Sequence, residues 1–125
     1  MNASQDVPEA IMEHGCMELQ VECTEAIPMG RVLSNWNAYF VPERAQFYIA
    51  APTVISASSK TSLVSLLEVA ETFECTTAWM YVDRKRLDFM SVVSTFKYLG
   101  FQLSQTTIKD SRQNRMYALL RYELE

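Results

Sequence analysis

The chain has 125 residues, 49% of them hydrophobic, and its 15 acidic and 11 basic residues give a formal net charge of −4. This length suits one domain, and the acidic balance argues against a nucleic-acid or anionic-membrane partner, because phosphate binding normally requires a basic surplus. We also expect no membrane insertion, since no apolar run approaches the roughly 20 residues of a membrane span and no signal-peptide pattern is present.

Residues 1–34 are predicted to form a weakly ordered N-terminal arm. Polar and isolated hydrophobic residues are mixed there without a sustained period, and prolines and glycines interrupt the pattern. A short helix at residues 9–13 or a strand around residues 17–21 remain open as alternatives. The packed α/β domain is predicted to cover residues 35–125, with Trp36 near its start.

Two strand-like runs open this domain. They cover residues 37–41 and 46–50, and the four residues between them have the length and composition of a hairpin loop. We therefore predict an antiparallel pair of strands.

Residues 58–101 predict a helix, a buried strand, a second helix and a turn into another strand. In the first helix, apolar residues recur at three- and four-residue steps, which places them on one face: Leu63, Leu66, Leu67, Ala70 and Phe73. Residues 78–82 are a short apolar run of strand-forming types. In the second helix the helical period returns: Phe89, Val92, Val93, Phe96 and Leu99. Gly100 is placed to end that helix in a left-handed cap.

The C-terminal part predicts a strand at residues 101–104, a polar turn over residues 106–114 and a long antiparallel strand at residues 116–122. The order is strand, strand, helix, strand, helix, strand, strand. We predict an α/β layer fold, in which a mixed sheet with antiparallel edge strands carries two helices.

Catalytic and cofactor signals are absent from the sequence. His14 is the single histidine, so a multi-histidine metal site is excluded and a nucleophilic dyad would need a residue of the arm. The three glycines are too far apart for a phosphate-cradling loop. The three cysteines lack CxxC spacing and are typical of reduced thiols inside a cell. We predict no catalytic residue, no metal and no cofactor, and hence that the chain is not an enzyme.

The first helix carries a charged stripe beside its apolar face. Lys60, Val64, Glu68 and Glu71 project onto one line at the helical period. Two interpretations remain open, a solvated helix surface or a face that binds a partner.

The entry to the second helix is basic. Arg84, Lys85 and Arg86 are adjacent there, and we predict Asp83 as the N-cap and Asp88 as an acidic residue of the first turns. We call these three residues the basic turn. It is either a solvated loop or a second charged surface that a partner recognises.

Several short motifs in a fixed order resemble the ornithine decarboxylase antizyme family. Residues 59–71 contain a Ser-Lys entry and an LLE-x-AE helix, and residues 95–101 read TF-x-x-LGF. Asn35-Trp36 and the apolar run at residues 47–49 fit the upstream part, and residues 116–122 fit the closing strand. The resemblance covers roughly residues 35–122.

This resemblance implies an acetyltransferase-like fold without acetyltransferase chemistry. It implies a protein inhibitor that binds the ornithine decarboxylase monomer as a heterodimer, prevents formation of the active homodimer and promotes ubiquitin-independent degradation by the proteasome. The resemblance also implies regulation of polyamine synthesis and transport, and binding of antizyme inhibitor. It implies synthesis by ribosomal frameshifting and a location in the cytoplasm, with the nucleus as a second site.

The family's partner-contacting positions can be carried over residue by residue. Three charged residues match the contact helix, Arg84 falls at the basic turn and Ser104 lies at the end of the strand after LGF. With Val64 from the same helical stripe and Lys85 next to Arg84, the predicted partner-binding residues are Lys60, Val64, Glu68, Glu71, Arg84, Lys85 and Ser104.

The sequence departs from the family pattern at three places. Thr72 stands where a second adjacent Glu is common, Asp83 replaces a His, and residues 55–58 replace a Gly/Pro-containing loop. One alternative is an active acetyltransferase, which would need a glycine-containing phosphate loop, whereas residues 50–62 contain no glycine. The other is a protein of the same fold with a different binding partner.

Overall fold

The computed structural model describes residues 17–27, 30–53, 55, 59–110 and 114–124, and for residues 17–35 it describes mainly the backbone. These residues form six strands, two α-helices and one short 3-10 turn at Pro42–Arg44. The elements are β1 (Met17–Ile27), β2 (Gly30–Val41), β3 (Gln46–Ala50), α1 (Ser59–Thr72), β4 (Thr77–Asp83), α2 (Phe89–Tyr98), β5 (Gln102–Asp110) and β6 (Arg115–Glu123).

The strands form one sheet in the order β1-β2-β3-β4-β6-β5. β3 and β4 run parallel, and every other neighbouring pair is antiparallel. A parallel pair needs a crossover, and α1 supplies it. The predicted mixed sheet with two helices is confirmed, as is the hairpin, in which Val41 is opposite Gln46.

Helix α1 packs through the apolar face that its sequence period predicts. Leu63, Leu66 and Ala70 are buried, while Leu67 and Phe73 are half-buried against the same core. The helix ends where Glu74 adopts a positive φ of 59°. Packing of this face removes apolar surface from water, which is the main force that holds α1 on the sheet.

Helix α2 ends as predicted but begins differently. Gly100 has a φ of 114°, and the Phe101 amide donates to the Phe96 carbonyl over 3.0 Å, which closes the last turn. The prediction of Asp83 as N-cap was wrong, because a five-residue turn separates β4 from α2. Asp88 occupies the N-cap position, and the Asp83 carboxylate instead accepts a 2.9 Å hydrogen bond from the Lys85 amide.

Strand β5 is longer than predicted. The polar segment at residues 106–114 has the composition of a turn, but the strand continues to Asp110. As an edge strand, β5 exposes most of its side chains, and Ile108 and Asp110 are its buried residues. A strand of this kind is polar enough to resemble a turn in sequence. Residues 111–113 lie outside the described residues.

The segment predicted as an arm contains strand structure. The backbone of residues 17–27 forms β1 and pairs with β2 in a register that places Ile27 opposite Gly30. The strand considered around residues 17–21 lies within β1, whereas the helix considered at residues 9–13 lies outside the described residues. The domain boundary between residues 34 and 35 stays a prediction.

The buried residues form two clusters, one on each face of the sheet. The first lies under the helices and includes Trp36 and Phe96, whose rings meet edge to face with centroids 6.2 Å apart. The second is rich in aromatic residues and contains Tyr39, Tyr81 and Tyr117. In the part of the chain that the structure describes, no helix is long and apolar enough to cross a membrane.

Candidate protein-binding surface

The four residues of the predicted charged stripe are all exposed on α1. We call Lys60, Val64, Glu68 and Glu71 the α1 stripe. Val64 is 46% exposed, whereas Leu63 and Leu66 on the apolar face of the same helix are buried. The α1 stripe therefore combines one exposed apolar residue with charges of both signs.

The charges of the α1 stripe are arranged against the helix dipole. No acidic residue lies in the first turn of α1 and no basic residue in the last turn. Lys60 near the N-terminus and Glu71 near the C-terminus are each unfavourable by about 0.3–1 kcal/mol in exposed positions. This arrangement therefore lowers the stability of the isolated helix. Opposite charges on a partner would offset that cost.

The three cations of the basic turn have different environments. Arg86 is fixed, because its Nη1 donates to the Pro52 carbonyl over 2.7 Å and its Nε donates to Asp88 Oδ1 over 2.8 Å. This hydrogen bond lowers the pKa of Asp88. The Arg84 guanidinium lies 5.9 Å from the centroid of the Phe89 ring, and both Arg84 and Lys85 are exposed. Arg84 and Lys85 can therefore bind a partner, and Arg86 holds the turn.

Ser104 lies in the irregular part of β5. Its hydroxyl accepts a 3.1 Å hydrogen bond from the Thr106 amide, and the register with β6 shifts between Leu103 and Thr107. The side chain is half-buried. Ser104 thus stabilises a bulge in an edge strand, a feature that such strands use to limit pairing with other chains.

The predicted residues fall into groups at different places in the fold. Strands β3 and β4 are parallel, so both finish at the same end of the sheet. Helix α1 begins at that end, and the basic turn lies there too. Lys60 therefore lies at the end that carries Arg84 and Lys85. Glu71 lies roughly 16 Å further along α1, at 1.5 Å per residue. Ser104 is on the far edge strand, beyond β6.

The segment after β3 is attached to β4 and to the turn before α2. The Ala51 amide donates to the Tyr81 carbonyl over 3.1 Å, which continues the parallel pairing beyond β3. The guanidinium of Arg86 also reaches the Thr53 carbonyl over 3.2 Å. Among the described residues there is no group of three side chains suited to hold a metal ion.

Two residues beside Arg84 carry no recognisable signal in the sequence. Lys109 of β5 and Met116 of β6 line a cavity of about 300 Å³ together with Arg84 and Lys85 of the basic turn. They come together through the pairing of β5 with β6 and of β6 with β4. Only the cross-strand register could have identified them.

The fold is that of the acetyltransferases. An acetyltransferase from Bacillus cereus ATCC 14579 superimposes with a TM-score of 0.58 at 9% identity, over 97% of this chain and 82% of that chain. Nourseothricin acetyltransferase superimposes with a TM-score of 0.51 at 9% identity, over 90% of this chain and 89% of that chain. Similarity at such low identity shows the fold alone, and it confirms the predicted acetyltransferase-like layer architecture.

Sequence similarity places the chain more narrowly. Residues 33–124 match the family described as ornithine decarboxylase antizyme. The ornithine decarboxylase antizyme of Aedes aegypti is 33% identical in an alignment over 101 residues, which covers 74% of this chain and 42% of that protein. The chain belongs to the ornithine decarboxylase antizyme family, as the motifs predicted. It spans less than half the length of this relative.

Proposed function

We propose that the chain is a non-catalytic inhibitor of ornithine decarboxylase that binds the enzyme's monomer and prevents formation of the active homodimer. The observation that carries the proposal is the family match over residues 33–124, which includes both helices, the α1 stripe and the basic turn. Antizymes are regulatory inhibitors rather than enzymes.

The proposed interface uses charge of both signs. Glu68 and Glu71 present carboxylates on one exposed face of α1, and Val64 supplies an apolar contact beside them. Arg84 and Lys85 supply cations at the end of the sheet. Such a pattern would steer association and fix the orientation of the partner, because each sign must meet its opposite.

The same proposal extends to the consequences of binding in the cell. It includes delivery of the decarboxylase to the proteasome without ubiquitin, restraint of polyamine synthesis and transport, and competition by antizyme inhibitor for the same surface. Synthesis by ribosomal frameshifting and a location in the cytoplasm and nucleus belong to it as well. All of these rest on family membership, and a stop codon that interrupts the reading frame of the mRNA would support frameshifting.

An acetyltransferase activity is the second candidate, because the fold is shared with those enzymes. The absence of glycine from residues 50–62 counts against it, because that chemistry needs a glycine-containing phosphate-binding loop at this junction. Acetyl-CoA is therefore expected neither to bind nor to raise the melting temperature. A protein of this fold with another partner would fail to co-purify with ornithine decarboxylase.

Size-exclusion chromatography tests the proposal directly. Mixed with excess chain, the decarboxylase homodimer is expected to be replaced by a smaller one-to-one heterodimer, with loss of activity. An unshifted and fully active homodimer at excess of this chain would overturn the proposal.

A further inference from the structure

A row of three exposed side chains crosses the strands next to the basic turn. The Arg84 amide donates to the Met116 carbonyl over 3.0 Å, and Met116 is opposite Lys109 in the β5–β6 register. Asp83, the last residue of β4, is opposite Tyr117, so this hydrogen bond places Arg84 beside Met116 one residue further on. We call Arg84, Met116 and Lys109 the cross-strand row.

The cross-strand row lies on the face of the sheet that carries the helices. Tyr117 and Ile108 belong to the cluster on the opposite face, so their neighbours Met116 and Lys109 point to the helix side. Neighbouring strands are about 4.8 Å apart, so the two cations flank Met116 with Cα atoms roughly 10 Å from one another. Met116 is 44% exposed between them.

The cavity beside the row is strongly cationic although the whole chain is acidic. Its volume is about 300 Å³, and it is lined by Arg84, Lys85, Lys109, Asn114, Arg115 and Met116. Arg115 is directed to Asp83, with 3.9 Å between Nε and Oδ2. Within the described residues, the side-chain cations of Arg84, Lys85 and Lys109 form no ion pair, although the Asp83 carboxylate accepts a hydrogen bond from the Lys85 amide. The N-terminus of α2 lies beside Arg84, at Phe89, and its dipole adds to the positive potential.

We propose that the cross-strand row binds an acidic peptide segment that carries an apolar side chain between carboxylates. The two cations would bind the carboxylates through charge-assisted hydrogen bonds, and the flexible Met116 side chain would contact the apolar residue. A bare inorganic anion would make no use of the exposed Met116. The inference rests on the geometry of the row and not on the proposed decarboxylase partner.

Binding of a labelled peptide to the isolated chain tests the inference without any decarboxylase. The probe is a fluorescein-labelled Glu-Glu-Leu-Glu-Glu peptide, with Gln-Gln-Leu-Gln-Gln and Glu-Glu-Ser-Glu-Glu as comparison peptides, measured by fluorescence anisotropy. Arg84→Gln and Lys109→Gln are each expected to weaken binding roughly two- to fivefold, the fold-change that corresponds to the loss of one exposed ion pair. Met116→Ser is expected to remove the preference for the leucine peptide over the serine peptide.

Lys97→Gln is the matched control, because Lys97 is an exposed cation in the last turn of α2 and lies outside the cavity. It is expected to bind the peptide as the wild type does, and melting temperatures would confirm that all variants are folded. Equal binding of the glutamine peptide, an equal loss with Lys97→Gln, or displacement of the peptide by equimolar inorganic phosphate would overturn the proposal.

Discussion

The guanidinium of Arg86 donates a 2.7 Å hydrogen bond to the carbonyl oxygen of Pro52, 34 residues earlier in the chain. This contact joins the turn before α2 to the segment after β3. It separates Arg86 from its two neighbours of equal charge, since Arg84 and Lys85 remain exposed. A basic triplet that is uniform in sequence therefore divides into one structural residue and two surface residues.

Replacing Arg86 by Met is expected to destabilise the chain by about 1–3 kcal/mol, because the part-buried carbonyl of Pro52 would lose its donor. Lys85→Met is the matched control and should change the free energy of unfolding by no more than about 0.5 kcal/mol. Urea unfolding of both variants measures the difference. Equal stabilities would show that the Arg86 contacts do not hold the turn.

The ion pair of Arg86 with Asp88 predicts a pH effect. The hydrogen bond from Arg86 lowers the pKa of the Asp88 carboxyl below its ordinary value of 3.8. A lowered folded-state pKa means that the stabilisation is present above pH 3.8 and is lost as the pH falls through the folded value. Wild type should therefore exceed Asp88→Asn in stability at neutral pH, and the gap should close in acid.

The carboxyl of Asp88 is exposed, so this gap is expected to be small and to shrink with added salt. Urea midpoints of the two proteins between pH 7 and pH 2, at low and high salt, provide the measurement. A gap that widens in acid would contradict the assigned sign.

The elements with strong periodicity could be predicted from sequence, because their pattern reflects a single buried face. The apolar side of α1 is an example, and it is confirmed. The end of α2 could be predicted from a different signal, a glycine after the last periodic residue, and it is confirmed as well. Sequence could not rank residues within a face. Leu66 and Leu67 both carry the helical period, yet Leu66 is fully buried and Leu67 is only half-buried.

This difference between Leu66 and Leu67 gives a prediction about the core. Leu66→Ala should cost about 2–5 kcal/mol, because it leaves a cavity under the helix that the sheet cannot fill. Leu67→Ala should cost clearly less, since water already reaches part of that side chain. Thermal and urea unfolding of both variants provide the comparison, and a larger loss for Leu67→Ala would contradict this difference in burial.

Gly100 provides a test of backbone geometry. Its φ of 114° is a conformation that residues with a Cβ rarely adopt, and a Cβ added there would lie 3.0 Å from Tyr122 Cε2. Gly100→Ala is expected to destabilise the chain by about 1–3 kcal/mol through backbone strain. A melting temperature equal to that of the wild type would show that the end of α2 is adaptable.

The residues that sequence could not place are those whose position depends on long-range pairing. Asp83 has the sequence context of a helix cap, but Asp88 is the residue at that position. The sequence could not show this, because the length of the turn after β4 is not encoded in a local pattern. Lys109 lies in a segment with the composition of a turn, and only the register of β5 with β6 brings it to Arg84. The exposure of the α1 stripe could be predicted, because it is the complement of the buried face.

The most direct test of the proposed inhibition is a titration of ornithine decarboxylase activity with the wild-type chain, a Glu68→Lys/Glu71→Lys variant and a Glu43→Lys/Glu74→Lys control. Glu43 and Glu74 are exposed and lie outside the α1 stripe, so the control carries the same change in net charge. Both charge reversals should leave the fold intact, since exposed substitutions usually change stability by about 0.5 kcal/mol or less. We expect inhibition by the wild type and the control, and a large loss of inhibition for the stripe variant. Inhibition by the stripe variant at the wild-type concentration, or no inhibition by the wild type, would contradict the proposed inhibition through the α1 stripe.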